Sequence, residues 1–127
     1  MAHPMKAYQR VRITTATPAE LVVLLADGLA RYVAAAADAM SDGRWAEVGQ
    51  HCERSVQIVC HLQESLNESV APALVAQLDR TYETWTRCIV RAQLQRDVES
   101  MRALVPQMQE LADAWRTVAA YVREDAR

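Results

Sequence analysis

Apolar residues in this chain recur at alternating steps of three and four, and prolines and turn residues cut the run into four pieces of similar length. Such steps keep side chains on one face of an α-helix, and a seam sustained over several turns asks for partner helices. The repeat by itself also describes one long coiled coil. The cuts decide between the two. Pro18 and Pro72 each suit a first helical turn, where a missing N–H costs nothing, while Ser41-Asp42-Gly43 and Asn67-Glu68-Ser69 interrupt the pattern with turn chemistry. Helices joined by loops of a few residues must run antiparallel to their neighbours. The sequence therefore predicts an all-α, antiparallel up-down-up-down four-helix bundle over 17–127, with helices at about 18–40, 44–66, 70–96 and 98–124. Residues 1–16 lack a sustained helical period and are expected to form a mobile N-terminal arm, with Tyr8, Val11 and Ile13 as apolar points of attachment.

The first helix has the sharpest start. Thr17 is placed to cap it, Pro18 to occupy its first position and Glu20 to complete a capping box. Its apolar positions are Leu21, Leu24, Leu25, Leu29, Tyr32, Val33, Ala36 and Met40. Trp45, Val48, Cys52, Ser55, Val59, Leu62 and Leu66 form the second seam, with Val56 and Ile58 flanking the polar Ser55. Ser69 or Ala71 caps the third helix, whose seam runs through Leu74, Leu78, Tyr82, Trp85, Ile89 and Ala92. Met101, Leu104, Met108, Leu111, Trp115, Val118 and Val122 make the fourth. Pro106 sits inside that helix, where it removes a backbone hydrogen bond and predicts a kink or a break. Trp45, Trp85 and Trp115 read as core fillers, and Gly28, inside a helix, as a tight helix contact.

At 127 residues the chain suits one domain with one core. It is 51% hydrophobic and 24% charged, yet has no continuous apolar span of the kind a membrane crossing requires, so the apolar residues must be segregated onto faces. The N-terminus, Met-Ala-His-Pro-Met-Lys, leads into a mixed polar stretch rather than a secretory signal, and the expectation is a cytoplasmic protein that starts at or near Met1. Cys52, Cys60 and Cys88 cannot all pair within the chain and form no CxxC, which fits reduced thiols. A net charge of -2, with 14 basic and 16 acidic residues interleaved, gives no basic stripe for a nucleic-acid backbone.

Chemistry is sparse. A di-metal carboxylate bundle would need Glu-x-x-His on two helices, and none occurs. Glu47 and His51 lie one turn apart beside Cys52, with Cys60-His61 two turns on; the set includes metal-ligand types, but the place of Cys52 on the apolar seam favours a buried thiol with flanking imidazoles. No serine or cysteine sits in a glycine-rich elbow, and the isolated glycines cradle no phosphate. The expectation is no catalytic residue, no metal and no cofactor, in a protein that works by binding another protein.

The stretch Thr15-Ala16-Thr17-Pro18-Ala19-Glu20-Leu21, followed by Asp27-Gly28 and preceded by Tyr8, closely resembles the N-terminal signature of the flagellar export chaperone FliS family. Ser65-Leu66-Asn67, then Tyr82, Arg87, Ala92 and Asp97-Val98, then Leu111 with Trp115 extend the resemblance over residues 8 to 118 or so. Ala26 and Gln93 depart from the family pattern, which usually has an aromatic residue and an asparagine there. The resemblance implies a chaperone that binds the disordered C-terminal segment of flagellin in the cytoplasm and hands it to the flagellar type III export gate. It also implies an arm that covers the client groove through Tyr8 and Ile13. The flagellin-binding candidates it suggests are Tyr8, Ile13, Thr15, Ala16, Pro18, Leu21, Leu24, Leu25 and Gly28; Thr17, Glu20, Asp27, Leu66, Asn67, Asp97 and Trp115 are family-motif positions with structural roles. The alternative is a generic helical interaction or scaffold domain with a different client. Neither reading involves nucleic acid or insertion into a membrane.

Overall fold

The computed structural model describes residues 17–66 and 71–125, which form four α-helices and no strand. They are α1 (Pro18–Ser41), α2 (Trp45–Glu64), α3 (Pro72–Gln95) and α4 (Val98–Asp125). The expected arm, and with it Tyr8, Ile13, Thr15 and Ala16, lies outside the described residues, as do Asn67 and Ser69.

Each helix end has a local cause. The Glu20 amide donates to Thr17 Oγ1 at 3.2 Å, which closes the first turn of α1. The Glu20 carboxylate turns away from the cap and accepts from Arg123 on α4 at 2.6 Å. Gly43, with φ +72°, supplies the left-handed residue of the turn into α2. Ala71 and Pro72 start α3. At its far end Arg96 adopts the left-handed conformation, so that its amide donates to Gln93 O and that of Asp97 to Ala92 O, a Schellman closure without glycine. The Arg96 guanidinium lies 4.3 Å from the centre of the Trp45 ring, an attraction that offsets the cost of that conformation. Asp97 then caps α4: Oδ1 accepts from the Ser100 amide and Oδ2 from its hydroxyl, bonds that hold the carboxyl below the usual range.

α1 is the centre of the molecule. It packs most extensively on α4 and then on α2, whereas the contact between α3 and α4 is the sparsest of the neighbouring pairs. Ala26, Ala36, Ala37 and Ala39 are all fully buried on α1, and these small side chains let flanking helices approach it from more than one side. Three ion pairs join α1 to α4: Glu20 with Arg123, Asp27 with Arg116 and Asp38 with Arg102. Numbering that rises along α1 therefore falls along α4. The core also takes Leu29, Val33, Val59, Leu62, Tyr82, Trp85, Ile89, Met101 and Met108.

Several seam positions depart from expectation. Trp45 is exposed beneath Arg96 rather than in the core, because it begins α2 at the rim of the bundle. Leu74 is exposed and Val75 buried in its place; on α4, Val118 and Val122 are exposed while Ala112 and Ala119 turn inward. Ser55 is fully buried on the α2 seam, which it tolerates because its hydroxyl donates to His51 O at 2.7 Å. Pro106 does not break α4, which continues through it.

Candidate functional site

One bond fixes how α3 meets α4. Trp85 is buried, and its Nε1 donates to Gln107 Oε1 at 3.0 Å. On α3 the stripe that carries Trp85 continues eleven residues back to Leu74 by way of Leu78; on α4 the stripe of Gln107 runs through Leu111 and Val118 to Tyr121. Other ties bring these two stretches to one end of the molecule. Arg123 holds the end of α4 to Glu20 at the start of α1, Gly28 faces Ile58 on α2, and Gln63 Nε2 donates to Asp79 Oδ1 on α3.

The contact between these two helices is sparse, and their apolar stripes are left partly uncovered. Leu74 is 49% exposed, Val118 42%, Tyr121 69% and Val122 43%, with Leu78, Leu111 and Trp115 only partly buried against the core. Beyond the Trp85–Gln107 bond the exposed side chains of α3 and α4 thus form an apolar face at the end where α1 begins. Uncovered apolar side chains in such a cluster mark a surface for a partner. Apolar side chains at helical spacing suit an amphipathic helix laid on them. Beneath this face Tyr82 packs against Trp85 at 5.7 Å, and burial pushes its hydroxyl up to about 12.

The candidate residues on α1 divide into two groups. Leu21, Leu25 and Gly28 share the stripe that turns to α2, where Tyr32 meets His51 with ring centres 6.1 Å apart and Arg54 lies over the Tyr32 ring. Gly28 is buried, but an added Cβ would meet Ile58 Cδ1 at an ordinary 3.6 Å, so the contact there does not demand glycine. Leu24 and Pro18 are exposed. Among the motif positions, Thr17 and Asp97 are caps, Glu20 and Asp27 pair with α4, and Trp115 is partly buried against the core. Leu66 lines a concavity of 510 Å³ between the end of α2 and the start of α3, with Gln63, Val75 and Asp79. Ala26 is fully enclosed, so the aromatic residue usual in the family would need space that this core does not have.

Sequence reasoning did not find the α3–α4 face. One signal was present: Tyr121 and Val122 are adjacent on a helix, and neighbours in sequence point in directions about 100° apart. Among the described residues no group of three or more His, Cys, Asp or Glu is arranged to hold a metal ion, and no helix is long and apolar enough to cross a membrane. His61 sits 3.5 Å from Glu64, and Cys52 is buried, which raises its thiol.

Comparison with known proteins gives a consistent outcome. The family model described as flagellar protein FliS matches residues 1–122. The flagellar secretion chaperone FliS of Bacillus subtilis is 25% identical over 97% of this chain and 91% of its own length. That of Escherichia coli is 27% identical over 82% of this chain and 77% of its own, and the flagellar secretion chaperone FliSB of Pseudomonas aeruginosa 28% identical over 87% and 91%.

Proposed function

The chain belongs to the family of the flagellar protein FliS, and on that premise we propose that it is a cytoplasmic chaperone for the disordered C-terminal segment of flagellin. It prevents premature polymerisation of that client and supports its delivery to the export gate of the flagellar type III secretion system. It acts by binding and catalyses nothing. The names of its relatives support a role in flagellar secretion. The observation that carries the reading further is the uncovered α3–α4 face, with Leu74, Val118, Tyr121 and Val122 exposed.

A terminus that polymerises through amphipathic helices must be held where those helices can fold without meeting copies of themselves. An apolar groove on a rigid bundle does this, and the cost of ordering the client keeps the complex releasable. The ion pairs that order α1 against α4 support an up-down-up-down antiparallel topology. Residues 1–16 act in this reading as an arm that covers the groove through Tyr8 and Ile13, since the chain enters α1 at the end where the face opens. Pro18, Leu21, Leu24 and Leu25, on the first turns of α1, extend the client surface at that end.

Co-purification with a flagellin C-terminal peptide tests the proposal against a peptide lacking its terminal helical segment. Retention of the first alone is expected. Equal retention, or none, points instead to a different client. Deletion of residues 2–14 is expected to change flagellin affinity while leaving thermal unfolding cooperative, and an unchanged affinity would remove the arm from the account.

A further inference from the structure

The other end of α3 carries a second apolar patch that the client reading does not use. Val90 is 42% exposed and Leu94 78%, and with Thr86, Arg87, Arg91 and Gln95 they line a shallow groove of 410 Å³ along the last turns of the helix. Val90 lies sixteen residues beyond Leu74, about 24 Å along α3 at the rise of an α-helix, so the two surfaces are separate.

Charge indicates what the groove takes. Arg44, Arg102, Arg116 and Arg123 each pair with a carboxylate, and Arg96 is engaged on Trp45. Among the described residues Arg31, Arg54, Arg80, Arg87 and Arg91 are in no ion pair, and of these Arg87 and Arg91 line this groove; Arg87 has only a 3.4 Å bond to the Thr84 hydroxyl. Two arginines without carboxylates thus flank an apolar pair, spaced one helical turn apart, on a chain whose net charge is -2. We propose that this patch docks an acidic amphipathic helix of a second protein, with its apolar side chains over Val90 and Leu94 and its carboxylates on Arg87 and Arg91. Carboxylates on guanidinium groups supply both orientation and encounter rate. A second copy of this chain is a poorer occupant, because patch on patch would set arginine against arginine. A membrane surface is poorer too, since polybasic lipid binding draws on about four to eight cationic residues.

The test is a titration of the full chain with a fluorescent synthetic helix carrying leucine on one face and glutamate on both flanks. Saturable binding is expected, weakened several-fold between low and physiological salt. Arg87→Glu/Arg91→Glu should weaken it at least about tenfold and gain affinity for the same peptide with lysine in place of glutamate. Leu94→Asp should abolish binding without moving the melting transition, and Leu94→Ser should reproduce the loss. Prior saturation with the flagellin tail should leave the affinity unchanged, so that failure of this site and failure of the client reading are read separately. The proposal is overturned by absence of saturable binding, by charge reversal without effect, by a dimer that Leu94→Asp dissolves, or by sedimentation with phosphatidylserine vesicles in place of peptide binding.

Discussion

Single residues in this chain hold one site each, and their effects follow from what they touch. Gly28 has the room for a methyl group that its neighbours leave, with Ile58 Cδ1 at 3.6 Å. Gly28→Ala should therefore stabilise the protein by about 0.5–1 kcal/mol, through the helix preference of alanine and the lower entropy of its unfolded chain. A urea denaturation midpoint that moved down would mean that α1 and α2 sit closer than the structure has them. Asp97 gives a pH effect of known sign. Its folded carboxyl titrates below the ordinary range because Ser100 donates to it twice, so its contribution is complete at neutral pH and falls as pH drops through the depressed value. Asp97→Asn should flatten the acid limb of the melting temperature against pH, and an unaltered limb would remove Asp97 as its source. Tyr82 gives the opposite limb: burial favours its neutral form, so stability should fall as pH rises from about 10 to about 12.

Among the elements, boundaries were legible because caps have short-range chemistry. Thr17 and Pro18 placed the start of α1, Pro72 the start of α3 and Asp97 the junction with α4. The end of α3 was less so, since Arg96 takes a conformation for which glycine is the usual signal. The faces were harder still. A three-and-four repeat records that a stripe is apolar, and not whether another helix covers it, so Val118 and Val122 read as core when they face outward. The same ambiguity hid the α3–α4 face, which follows from the sparse contact between those two helices. The ion pairs along α1 and α4 are exposed, and a double-mutant cycle on Asp27 and Arg116 should give a coupling of no more than about 1 kcal/mol. A much larger coupling would assign that seam a stabilising role that here belongs to the alanine-rich packing of α1.

At the scale of the molecule, the apolar α1 lies against α4 and α2, while α3 packs on α2 and only sparsely on α4. All four helices contribute to the core, α3 through Tyr82, Trp85, Ile89 and Ala92, while Leu74 on α3 and Val118, Tyr121 and Val122 on α4 stay exposed. The family resemblance was legible from Thr15 to Gly28, and within that stretch the structure gives Thr17, Glu20 and Asp27 capping and pairing roles. Calorimetric titration of the flagellin C-terminal peptide into the wild type and into Val118→Asp/Tyr121→Asp tests the account most directly. It predicts binding by the wild type and at least about tenfold weaker binding by the variant, with thermal unfolding of both still cooperative, because both side chains lie outside the buried core. Equal affinity for the two proteins would contradict it.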